Sequence, residues 1–213
     1  MEFEPVVALA DGQARTYEAL GVDTTALDDI AREVATWPPD TRVAVHVGPD
    51  ALGDPAFVGR VLRTAGRHGI APQRFVFAIE EQLACDDFEQ TEVLVDGLAA
   101  QHVYVGIDRF GSASASLRTL ARFPIDFVKI DWRSVPNPDA GLLRSDLVAA
   151  IVAAAKMLCI DTVVDGVESL STLARVIALD CDYAQGPLFG GHGPVRQIRM
   201  DDLGKAAPAG ANS

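Results

Sequence analysis

From residue 42 onward, short β-branched or aromatic runs alternate with longer stretches of helical apolar spacing. The runs read RVAVHV (42–47), RFVFAIE (74–80), VYVGID (103–108), DFVKID (126–131), DTVVDG (161–166) and YAQGPLF (183–189). Strand-like runs separated by helices are the signature of a parallel sheet with crossover helices. Two of the intervening helices carry clear boundary signals. DPAFVGRVLRTAGRHG (54–69) opens on Asp-Pro and closes on Gly69, and RSDLVAAIVAAAKMLC (144–159) offers Ser145 as an N-cap ahead of a long Ala-rich face.

PVVALA (5–10) and RTYEAL (15–20) are strand-like as well, but Asp11-Gly12 joins them across a gap too short for a crossover helix. They predict an antiparallel hairpin. Eight runs with an antiparallel first strand fit a modified (β/α)8 TIM-like α/β barrel, while a doubly wound open sheet accommodates the last six equally well. A chain of 213 residues, 49% hydrophobic, supports one sizeable core. One domain is expected over residues 1–203, and GKAAPAGANS (204–213), small, polar and without periodicity, reads as a disordered tail.

Charge narrows the partners. A net charge of −12 repels phosphates on average, which argues against nucleic acid or an anionic membrane as the main partner. Cys85, Cys159 and Cys181 are odd in number and lack zinc or redox spacing, so they read as reduced thiols of a cytoplasmic protein, with Cys159 assigned to core packing. No run reaches the ~18 apolar residues of a membrane span, and no charged-then-apolar signal opens the chain.

The chemistry gathers at strand ends, where loops of either sheet architecture form the working face. Glu18, His46, Glu80, Glu81, Asp108, Lys129, Asp131, Asp165, Glu168 and Gln185 all fall at or just beyond a strand end. Any one of them is unremarkable as a cap or a solvated loop residue. Converging on one rim, they would repel unless a metal, a basic ligand or internal ion pairs balanced them. Arg109 directly follows Asp108 in IDRFG.

These residues carry a family likeness. TYEALG, VGIDRFGSASASLRTLARFPIDFVKIDW and DTVVDGVESLSTLARVIALDCDYAQGPLF resemble, in order and spacing, the EAL domain, the bacterial phosphodiesterase that linearises cyclic di-GMP. The resemblance implies a modified barrel, shortened here after the EAL strand because only residues 21–41 precede RVAVHV. It also implies a site in which two magnesium or manganese ions generate the attacking hydroxide. By position, Glu18 and Asp108 match metal-binding acids, Lys129 matches the lysine that orients the water, and Glu168 and Gln185 match further site residues. Four positions depart. His46 replaces a metal-binding asparagine, Ala78 a metal-binding glutamate, Arg109 the second aspartate, and Asp165 the glutamate proposed as general base.

A histidine suits magnesium poorly, Ala78 offers no donor, and the Arg109 charge stays on at any accessible pH. The phosphate-gripping arginine after the motif gives way to Gly21-Val22, Glu4 stands where a glutamine is usual, and Ala113-Ser114 replace a glycine and a tyrosine. The expectation is therefore a vestigial site. Glu18, His46 and Asp108 hold no tightly bound metal pair, and Lys129 and Asp165 are relics of catalysis. Arg109 is expected among Glu18, Asp108, Asp131 or Glu168 as an internal cation, with Glu81 a loop acid.

No cofactor is expected, apart from magnesium or manganese if activity survives. The expected role is binding an unidentified protein in bacterial signalling. A metal-free cyclic di-GMP receptor and a weak phosphodiesterase built on Glu18, Asp108 and His46 are the alternatives, and a homodimer is compatible with any of the three.

Overall fold

The structure, a computed structural model, describes residues 1–111, 117–135 and 144–190. Eight strands close into a barrel in sequence order: β1 (Glu2–Ala8), β2 (Ala14–Asp23), β3 (Arg42–His46), β4 (Phe75–Glu80), β5 (Tyr104–Asp108), β6 (Phe127–Asp131), β7 (Asp161–Asp165) and β8 (Tyr183–Ala184). β1 runs antiparallel to both neighbours, β2 and β8, and every other pairing is parallel. The open-sheet alternative is thereby excluded. The described helices are α1 (Leu27–Val34), α2 (Pro49–Leu52), α3 (Phe57–His68), α4 (Glu81–Asp86), α5 (Phe88–Ala99), α6 (Leu117–Arg122), α7 (Arg144–Met157) and α8 (Leu170–Ala178).

Alternation along each strand sorts the core into two layers. Outward-facing Val43, Val45, Phe75, Phe77, Val105, Ile107 and Val128 pack under residues of the surrounding helices, such as Ile30, Val61 and Leu98. Inward-facing Val6, Ala44, Val76, Ala78, Phe127 and Val163 form a separate cluster inside the barrel. Gly106 is required there, because a Cβ would stand 2.4 Å from the Phe127 carbonyl oxygen and 2.6 Å from its ring.

The hairpin forms with Gly12 at φ +69°, and α3 ends at Gly69 in the left-handed region, as the sequence predicts. Four local expectations are corrected. β2 continues to Asp23 rather than ending at Leu20. β8 contains two residues, because at Gly186 (φ +137°) the chain turns against Val167, where a Cβ would meet the Val167 nitrogen at 2.4 Å, and Pro187–Phe189 forms a 3-10 turn. Ser145 lies inside the first turn of α7 and is not its N-cap. Cys159 is exposed, not core: it takes φ +58° just past α7, where the Ile160 N–H closes onto the Ala155 carbonyl and turns the thiol outward. Cys181 is the buried cysteine, its thiol pushed up to about 12 by burial. No described helix is long and apolar enough to cross a membrane. The proposed tail at 204–213 and the Ala113-Ser114 loop lie outside the described residues.

Candidate functional site at the C-terminal mouth of the barrel

Parallel strands deliver their last inward residues to one end of the barrel, where side chains from β3, β6 and the segment just past β8 converge on Glu18. Glu18, from β2, is buried, and its carboxylate is held from three sides. Lys129 Nζ of β6 donates to Oε2 at 2.6 Å, Gln185 Nε2 just past β8 donates to the same oxygen, and His46 Nε2 of β3 bonds Oε1. The His46 ring then reaches Asp108 of β5 through Nδ1, at 3.4 Å from Oδ2. Lys129 Nζ lies 3.6 Å from Asp165 Oδ2 on β7. Gln185 also donates to Glu4 Oε2 of β1 at 2.8 Å.

The electrostatics follow from this packing. Burial alone would raise the Glu18 carboxyl, but the Lys129 ammonium and the His46 bond outweigh it and hold the group far below the usual carboxylate range. Burial works against the Lys129 charge too, yet Glu18, Asp108 and Asp165 together lift its pKa above that of an ordinary lysine. The bond to Glu18 raises His46 against an opposing effect of burial. Asp108 and Glu4 are raised, chiefly because they are desolvated. The positive charge that balances these acids is therefore Lys129, with His46 as a second, titratable contributor.

Arg109 is not that cation. It follows β5 at φ +53°, and this left-handed turn sends its side chain outward, where it pairs with Glu80 at 3.1 Å with both groups more than half or nearly half exposed. Only its backbone N–H serves the site, donating to Asp108 Oδ1 at 2.8 Å. Asp131 and Glu168 form a separate outer group bridged by Arg133, at 3.5 and 3.4 Å respectively. Ser134 and the Arg133 N–H also bind Asp131 and hold its carboxyl below the ordinary range despite burial.

Glu81 is no loop acid. It is completely buried at the start of α4 and accepts the Gly111 N–H at 3.0 Å, tying the segment after β5 to the β4 end. Sequence reasoning missed Arg133, whose spacing two residues after Asp131 was the available signal, and did not link Glu4 to the site through Gln185. Ala78, the register partner of His46 on the neighbouring strand, lines the barrel and contributes no donor. Among the described residues, no group of three or more His, Cys, Asp or Glu side chains is arranged to hold a metal ion.

A closed eight-stranded barrel with an antiparallel first strand and a glutamate-centred C-terminal mouth defines the EAL class of α/β barrels. The EAL domain family model matches residues 21–191, and the chain belongs to that family, the cyclic di-GMP phosphodiesterase family. Glu18 lies just before the matched span. An uncharacterized signaling protein of Caulobacter vibrioides is 30% identical over 195 residues, covering 90% of this chain and 24% of that protein. The bifunctional diguanylate cyclase/cyclic di-GMP phosphodiesterase MucR of Pseudomonas aeruginosa is 28% identical over 176 residues, covering 81% of this chain and 26% of MucR. The chain thus spans about a quarter of the length of these relatives. Among solved structures, the PaMucR phosphodiesterase in complex with cyclic di-GMP superposes with a TM-score of 0.80 at 24% identity, covering 95% of this chain and 97% of that one. The FimX EAL domain of Pseudomonas aeruginosa bound to cyclic di-GMP gives 0.80 at 22% identity, covering 91% and 90%. These superpositions establish a shared fold.

Proposed function

We propose that this domain is a catalytically degenerate EAL domain that acts in bacterial cyclic di-GMP signalling by binding a protein partner and does not hydrolyse the dinucleotide. The observation that carries the reading is the Glu18 carboxylate, whose two oxygens are already taken by Lys129, Gln185 and His46. Hard divalent cations need several oxygen ligands in near-octahedral order. The donor set here offers two buried carboxylates, Glu18 and Asp108, with an imidazole between them and an ammonium on one. Ala78 contributes none, and the Arg109 side chain points away to Glu80. These residues do not fit a pair of magnesium or manganese ions. A single-ion phosphodiesterase would have to displace both Lys129 and His46 from Glu18. The test is hydrolysis of cyclic di-GMP at high protein concentration with manganese. Absence of linear product supports the reading, and turnover overturns it.

A second reading is a metal-free cyclic di-GMP receptor. It is favoured by Gln185 Oε1, a buried acceptor without a hydrogen-bond partner among the described residues, and by the dinucleotide bound in the two solved relatives. Glu4 weighs against it, since its carboxylate faces the same amide and would meet an approaching phosphate. Calorimetry with cyclic di-GMP in chelator separates the two, because only the receptor releases or absorbs heat.

A further inference from the structure

On the outside of the barrel, α5 presents a large apolar side chain to solvent. Val93 is 71% exposed in the middle of the helix, where a β-branched residue is a poor helix former. Its neighbours one turn away are Glu89 and Gln90 toward the helix start and Asp96 and Gly97 toward its end. Gly97 is set by packing, since a Cβ there would stand 3.0 Å from Cγ2 of Val58 on α3. Gly53, just past α2, is approached in the same way: a Cβ there would stand 3.2 Å from Gln90 Oε1. Beside these two contacts, Leu52, Pro55, Val58, Val93 and Leu94 line a groove of about 500 Å3 between α5 and the α2–α3 junction. A single exposed valine needs no explanation, but one that borders an apolar groove extends a surface that can be covered.

The charge around this groove has one sign. Asp54 and Glu89 are its charged lining residues. Arg60 pairs with Asp54 at 3.0 Å, whereas Glu89 and Asp96 have no ion pair among the described residues. Residues 75–101 hold seven Asp or Glu and no Lys, Arg or His, so the α5 side of the groove carries more than half of the net charge of −12. Arg109 and Arg122 reach in from other segments and balance only Glu80 and Glu92.

We propose that this groove docks a basic amphipathic helix of a partner protein, with apolar residues packed on Val93 and Leu94 and lysine or arginine side chains facing Glu89 and Asp96. The proposal rests on the reading of the domain as one that binds a protein, and it names the surface and the chemistry of the partner. An amphipathic helix laid into an apolar groove is a common recognition mode, and here the acids select its charge. A second copy of the domain would bring the same acids against the same groove, because a two-fold interface uses one patch twice. Nucleic acid and anionic membranes are repelled by the same field.

The test is a titration of the intact domain with a synthetic leucine–lysine amphipathic helix of about four turns, followed by amide chemical shifts. Saturable binding is expected, with shifts concentrated in α5 and in residues 52–58. Val93→Lys, at an exposed position, weakens binding by about tenfold or more, and Glu89→Lys weakens it by about threefold or more. Glu33→Lys on α1 changes the net charge equally and leaves binding unchanged. A peptide of the same composition in scrambled order, or one with glutamate in place of lysine, binds about tenfold more weakly. No saturable binding up to about 1 mM peptide, shifts outside the groove, equal losses from Glu33→Lys and Glu89→Lys, or self-association of the domain that Val93→Lys abolishes overturns the proposal. Hydrolysis is assayed separately on the same sample: linear cyclic di-GMP product overturns the non-catalytic reading, whereas a failed titration overturns the docking surface alone.

Discussion

Lys129 Nζ lies 2.6 Å from Glu18 Oε2, joining strands β6 and β2 across the barrel mouth with both side chains at least nine-tenths buried. The pair places a fixed positive charge inside the rim of acids, so the acids are balanced without any bound ion. A buried pair contributes little relative to an apolar replacement, but losing one partner leaves the other charge uncompensated, at a cost of about 3–5 kcal/mol. Lys129→Met is therefore expected to lower unfolding stability in urea by about that amount, and Glu18→Leu added to it restores much of the loss. A Lys129→Met variant as stable as the parent would contradict this assignment of the internal cation.

Arg109 behaves oppositely. Its exposed pair with Glu80 is worth about 0–1 kcal/mol, so Arg109→Ala shifts stability by no more than an ordinary surface change. Its backbone matters more than its charge: at φ +53° a side chain costs roughly 1–2 kcal/mol that glycine avoids. Arg109→Gly should thus unfold at higher urea than Arg109→Ala, and the reverse order would sink the argument.

The barrel and the membership of its mouth were legible in the sequence because both depend on local pattern: strand-sized runs, and polar residues at their C-terminal ends. Glu18, His46, Asp108, Lys129, Asp165 and Gln185 converge for that reason. What they bond to was not legible, since partners on the rim are chosen by side-chain direction. The left-handed turn at Arg109 moved a guanidinium outward, and Lys129, whose inward position follows from strand alternation, took the central place. Cys159 and Glu81 exchanged the environments expected of them on similar grounds. A thiol in an apolar run was turned out by the end of α7, and an acid after a strand was drawn in by the Gly111 N–H. Gly106 is individually ordinary in the sequence, and its close fit against Phe127 appears only when the strands close.

Gly106 is the tightest point of that interior. Gly106→Ala drives a Cβ into the Phe127 carbonyl and ring, and overpacking of this kind costs about 1–3 kcal/mol. Thermal unfolding should report a clear drop in Tm. An unchanged Tm would mean that β5 and β6 are less closely apposed than described.

The N-terminal mouth gives a pH prediction. Burial, aided by the charges of Asp182 and Asp126, raises the Asp161 carboxyl above its ordinary value of 3.8. A raised folded pKa means that the folded state binds the proton more tightly. The stability Asp161 contributes is complete below pH 3.8 and is lost as pH rises through the raised folded value. Asp161→Asn should therefore raise Tm at pH 7 and leave it nearly unchanged at pH 3. A variant less stable than the parent at pH 7 contradicts the sign.

Lys129, His46 and Gln185 occupy both oxygens of the Glu18 carboxylate, and the proposed consequence is a domain that does not hydrolyse cyclic di-GMP. The most direct measurement is a calorimetric titration with cyclic di-GMP, with and without manganese, followed by analysis of the recovered nucleotide. Intact dinucleotide in both arms and no heat that depends on manganese are the expected results. Linear product, or binding that appears only with the metal, would contradict that consequence.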